Sequence, residues 1–150
     1  MLGIKFKVPN TYDNVLFKIF SNIASQNGFW KLYEEEIIFP NNSFNLDNDI
    51  YSDADFREII SSKFYYPIFL NLQFYKQGST TTLINNYCDF LNSDCELILF
   101  ITDNVYVEIY SKNEKTLEKI NENVVNNKFQ NVININDYSM VRKKFSAYLM

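Results

Sequence analysis

Asp47, Asp49, Asp53, Asp55 and Glu58 fall at positions one, three, seven, nine and twelve of a calcium-loop register, the spacing by which oxygen ligands gather around a hard divalent cation. The register fails inside. Position five is Tyr51, and position six, where the sharp turn needs glycine, is Ser52. Helix capping and a solvated loop account for the same acids, so no metal site is expected. Cys88 and Cys95 are too far apart for a CxxC redox pair, and Asp94 and Glu96 flank Cys95 with charges that oppose a thiolate. Both cysteines read as free thiols and small buried packing residues. Histidine is absent, which removes the usual partner of a nucleophilic Ser or Cys and the commonest zinc ligand. Asp94, Glu96, Asp103 and Glu108 offer carboxylates for acid/base chemistry, yet turn and strand-end positions explain them without it. No catalytic residue and no cofactor is assigned.

Tyr106, Glu108 and Tyr110 share one face of an alternating segment, and tyrosine stripes on sheets can stack nucleic-acid bases. The Lys/Arg-Gly-aromatic context of an RNA-recognition strand is missing, and a net charge of −4 with a pI near 4.8 opposes phosphate binding. Nucleic acid is not expected as a ligand. The negative charge is concentrated. Glu34, Glu35, Glu36, Asp47, Asp49, Asp53, Asp55 and Glu58 stand against Arg57 alone, a net of −7, while the rest of the chain sums to +3. Such a patch attracts cationic partners and speeds encounter. A solvated loop that keeps the protein soluble is the alternative explanation. These eight acids are the candidate partner-binding residues.

The elements that position them come from periodicity. At 150 residues the chain fits one domain, 47% hydrophobic and 21% charged. Aromatics at 17% predict a core thick with Phe, and three Gly leave no phosphate-cradling loop. GIKFKVP alternates as a strand with Lys5 and Lys7 on its wet face. TYDNVLFKIFSNIASQNG predicts a helix with Leu16, Ile19, Phe20 and Ile23 inward, capped at Asn10 or Thr11 and stopped at Asn27-Gly28. FWKLYEEEIIF reads as a hairpin turning near Glu35, and residues 40–52 as an Asn-rich loop. A short helix follows from Ala54 to Ser62, then the strand YYPIFLNLQFYKQ and the short helix LINNYCDFLNS with Leu83, Tyr87 and Phe90 or Leu91 inward. LILFI is apolar throughout and reads as a central strand; Asp103-Asn104 turns it into VYVEIY. A helix with Leu117, Ile120 and Val124 inward and a strand VINI follow, and RKKFSAYLM adds a last short strand. The fold class is α+β, a mainly antiparallel sheet with helices packed on one side. From residue 66 the order strand, helix, strand, strand, helix, strand is ferredoxin-like, with possible pseudo-repeat halves 1–75 and 66–136.

GIKFKVPNTYDNVLFKIF, with YCDFLNSDCELILFITDNVYVEIYSKNEKTLEKI and FQNVININD downstream, resembles the bacterial family known as domain of unknown function 2691. The likeness spans nearly the whole chain and is firmest in residues 1–20 and 86–136. Membership implies a source among spore-forming and related Gram-positive bacteria, and implies no activity or catalytic residues. The acidic middle lies outside the firmer pattern.

The amino-terminal MLGIKFKVPN is neither a signal peptide nor a membrane span, so a cytoplasmic protein with no membrane association is expected. The leading functional expectation is a non-catalytic interaction module, inhibitor or immunity-like, that meets a basic protein through Glu34 to Glu58. The rival is a small-molecule-binding domain or carboxylate-dependent enzyme working from a pocket between sheet and helices.

Overall fold

A computed structural model of the protein describes residues 1–148. Strands β1 (Gly3–Lys7), β2 (Gly28–Ile38), β3 (Ile50–Ser52), β4 (Tyr66–Lys76), β5 (Cys95–Thr102), β6 (Tyr106–Ser111) and β7 (Gln130–Ile135) form one sheet in the order β3-β2-β4-β5-β6-β1-β7. Every pairing is antiparallel, which makes the class α+β. The apolar run of β5 takes the middle place because both of its faces are covered. Leu97, Leu99 and Ile101 look into one core, and Ile98 and Phe100 into the other. Asp103 and Asn104, at φ 50° and 69°, supply the two left-handed positions that let β5 and β6 close without splaying.

On the first face lie α1 (Val15–Phe20), α2 (Asp53–Ser62) and α4 (Glu114–Asn126). Each repeats apolar residues at helical spacing, Leu16, Ile19 and Phe20, then Phe56 and Ile60, then Leu117, Ile120 and Val124. Trp30 stands at their centre, its ring 5.2 Å from Phe20, 5.1 Å from Phe56 and 4.9 Å from Phe74. Such ring pairs add about 0.5–1.5 kcal/mol each beyond the area they bury. Asn113 caps α4 through bonds from the Lys115 and Thr116 amides, and Ser52 caps α2 through the Asp55 amide.

The second face is covered differently. The short helix α3 (Tyr87–Asn92) packs there with Ile84, and the carboxy-terminal tail then crosses the sheet. Phe145 is the tail's anchor, stacked 5.1 Å from Tyr110 and edge-on 5.0 Å from Phe100. Three helices therefore share a side and the fourth takes the other. The strand and helix order expected from residue 66 onward is present, with β1 inserted between β6 and β7.

Several sequence expectations need correction. The segment read as a hairpin at Glu35 is a single strand, Gly28–Ile38, with a bulge after Leu32. Helix α1 begins after Asn14, whose side chain makes no capping bond, and ends at Phe20; beyond it the Ile23 and Ala24 carbonyls are bound by Arg57. Leu83 and Leu91 are exposed; Ile84 fills the core place expected of Leu83. Cys88 is exposed on α3, whereas Cys95 is buried as expected. In RKKFSAYLM, residues 142–148 form no strand, and residues 149–150 lie outside the described residues. Among the described residues no helix is long and apolar enough to cross a membrane.

Candidate functional site: an acidic sheet edge

Strand β3 pairs only with Phe29–Lys31. Beyond it the Leu32 amide donates to the Asp49 carbonyl at 2.8 Å, and from there Tyr33–Ile38 has β4 on one side and no strand on the other. The sheet thus ends in a free edge, and the acidic residues gather along and beside it. Charge on an exposed edge is a common guard against unwanted pairing.

The eight candidate carboxylates divide into two sets. Asp53 is buried and turned inward, at 3% exposure, accepting from Trp30 Nε1 at 2.8 Å, Ser25 Oγ at 2.8 Å, the Gln26 amide at 3.1 Å and Arg57 Nε at 3.0 Å. Burial opposes its ionisation, but the bonds from Trp30, Ser25 and Arg57, with the charge of Arg57, prevail and hold its pKa below the ordinary carboxylate value. This ion pair ties the α1–β2 connection to α2. It also takes position seven out of the calcium-loop register, since Asp53 faces Trp30 and not the loop.

Glu34 is the second internal carboxylate. The bulge after Leu32 sets it opposite Asn71 on the second face, where Oε1 accepts from the Ala147 amide at 2.7 Å and Oε2 from Ser146 Oγ at 2.8 Å. It fastens the tail. Below it runs a chain of buried polar groups, Tyr75 Oη donating to Gln73 Oε1 at 2.7 Å, Gln73 Nε2 to Asn71 Oδ1 at 3.4 Å, and Asn71 Nδ2 to Glu34 Oε1 at 3.4 Å.

The other six, Glu35, Glu36, Asp47, Asp49, Asp55 and Glu58, are exposed, and among the described residues none of them pairs with a Lys or Arg. Glu35 and Glu36 occupy the free edge, Asp47 and Asp49 the strand-flanking loop, Asp55 and Glu58 the outer side of α2. Partial desolvation and the adjacent Glu36 charge raise the Glu35 carboxyl, against a bond donated by the Ile37 amide at 3.1 Å.

The Cys95 thiol and the Tyr110 hydroxyl are held inside the fold. Burial pushes the Cys95 thiol up to about 12, and its Sγ donates to the Leu97 carbonyl at 3.1 Å. Tyr110 is raised by burial and by Glu108, whose carboxylate its hydroxyl binds at 2.7 Å. Lys5 and Lys7 lie across the sheet from Glu108 and Tyr106, a juxtaposition that no local pattern reveals because β1 reaches it from the far end of the sequence.

A profile for the family described as "Protein of unknown function (DUF2691)" matches residues 1–146. The chain is 32% identical over 150 residues to "Uncharacterized protein YncE" of Bacillus subtilis (strain 168), an overlap of 97% of this chain and 98% of that one. No solved structure matches it.

Proposed function

The chain belongs to the DUF2691 family, and we propose that it acts as a non-catalytic interaction module that takes a basic, extended protein segment against its acidic edge. The observation that carries this reading is the set of six exposed carboxylates that pair with no Lys or Arg among the described residues, beside a strand edge open to pairing. Main-chain bonds to Tyr33–Ile38 would supply affinity, and Lys or Arg side chains set against Glu35, Glu36, Asp47 and Asp49 would supply orientation and encounter rate. An inhibitor or immunity-type protein is one concrete form of such a module.

The test is a titration of the 15N-labelled protein with a lysine-rich extended peptide at low and high salt. Shifts confined to residues 33–38 and 47–58, lost in the variant with Glu35, Glu36, Asp47 and Asp49 replaced by their amides, are expected. Binding that ignores both salt and those four substitutions would count against the reading, as would no binding at low salt.

A further inference from the structure

Opposite the acidic edge, the second face carries a groove with the reverse character. The pairing register sets Thr102 beside Tyr106 and Tyr106 beside Lys7, and in the next row Phe100 beside Glu108 and Glu108 beside Lys5. The tail covers the second row and the one beyond it: the Arg142 guanidinium lies 4.5 Å over the Phe100 ring and Phe145 stacks on Tyr110. The first row is buried at Thr102 and exposed at Tyr106. Between it and the tail lies a groove of about 300 Å³ lined by Lys5, Lys7, Thr102, Tyr106, Glu108 and Arg142, with Ile133 at its far wall. That volume sits at the lower bound for small-molecule sites.

Charge and polarity inside the groove are specific. Glu108 is already engaged, accepting from Tyr110 Oη at 2.7 Å and pairing with Arg142 at 3.9 Å. Lys5 and Lys7 make no ion pair among the described residues, and Lys7 Nζ stands 5.1 Å from the centre of the Tyr106 ring. The Thr102 residue is only 3% exposed, yet its hydroxyl has no hydrogen-bond partner in the protein, an uncommon state for a buried polar atom. Lys5, Lys7, Thr102 and the half-exposed Tyr106 thus line one small space.

We infer that this groove binds a small organic anion, a carboxylate or phosphate monoester with a flat apolar body. Lys5 and Lys7 hold the anionic group, Thr102 donates to it, and the body lies against Tyr106 and Ile133. The site uses none of the acidic-edge residues, so it stands or falls independently of the proposed function.

Isothermal titration with phenyl phosphate and with benzoate tests it, using phenol and inorganic phosphate as controls for ring and charge alone. Saturable binding of both organic anions at or below about 1 mM is expected, with phenol silent and inorganic phosphate weaker. Lys5→Met with Lys7→Met keeps the aliphatic stems and removes the charges, and should weaken binding at least about tenfold while leaving the melting temperature in place. Thr102→Val should weaken it severalfold. Equal binding of phenol, an affinity unmoved by the double lysine variant, or no saturation by either anion would each overturn the inference. Inorganic phosphate matching phenyl phosphate would remove Tyr106 from the site and the flat body from the ligand.

Discussion

At the scale of single residues, Asp53 is where charge and architecture are most tightly joined. Its carboxylate satisfies an indole N–H, a hydroxyl, a backbone amide and a guanidinium at once, and losing it leaves the buried Trp30 N–H and the partly buried Arg57 without their acceptor. Asp53→Ala should therefore cost about 3 kcal/mol in chemical denaturation, the lower end of the range for breaking a buried pair because Arg57 keeps 24% side-chain exposure. The pH dependence carries a definite sign. With its folded pKa below the ordinary value of about 3.9, Asp53 contributes stability that is complete above that value and is lost as pH falls through the folded one. A flatter acid limb in the Asp53→Ala variant, below about pH 4, is the expected result in melts across pH. Glu35 has the opposite sign: its raised pKa means that ionisation works against folding as pH rises. Glu35→Gln should raise the melting temperature near neutral pH, and the gain should shrink in high salt, where the repulsion from Glu36 is screened. Neither role was readable in the chain. A run of acids looks the same whether its members face solvent or a tryptophan 23 residues away.

At the scale of elements, legibility follows the locality of the forces. The hairpin of β5 and β6 was evident because the apolar run, the Asp-Asn turn and the alternation after it all lie within one short stretch. Helix α4 is legible for the same reason, its buried stripe of Leu117, Ile120 and Val124 being local. Strand β2 is hard to read locally: three successive Glu are unusual in a turn and equally unusual in a strand, and it is pairing with β4, eased by the bulge after Leu32, that holds them extended. The tail differs from its sequence pattern for a related reason: Phe145 and Ala147 alternate like strand residues but are buried by distant partners without strand pairing. Phe145 lies at 3% exposure among Tyr87, Phe90, Phe100 and Tyr110, so truncating it opens a cavity under the tail. Phe145→Ala should cost about 3–5 kcal/mol and increase binding of a hydrophobic dye, measured by urea unfolding and by fluorescence. A loss under about 1 kcal/mol would mean that the tail does not hold the second core.

At the scale of the molecule, one sheet joins two cores of different composition. Trp30 and Tyr65 lie in the helix-covered core, whereas Tyr75, Tyr87 and Tyr110 lie in the core beneath α3 and the tail, which therefore dominates the buried tyrosines. Strands β4, β5 and β6 send alternate side chains into both, so neither core can open without disturbing the backbone that supports the other. Strand β1 strengthens the coupling, since the start of the chain sits between β6 and β7 near its end, held by register pairs from Gly3 to Lys7 on the β6 side. Two independently folding halves would melt separately; a single interleaved sheet should not. Tryptophan fluorescence, which reports the first core through the one Trp of the chain, and near-ultraviolet circular dichroism of the tyrosines should therefore give coincident urea transitions. Phe145→Ala should move both midpoints together although it touches only the second core. Should the tyrosine signal unfold first while Trp30 stays buried, the cores would be separable, and the groove beside the tail would be free to open without unfolding the acidic edge.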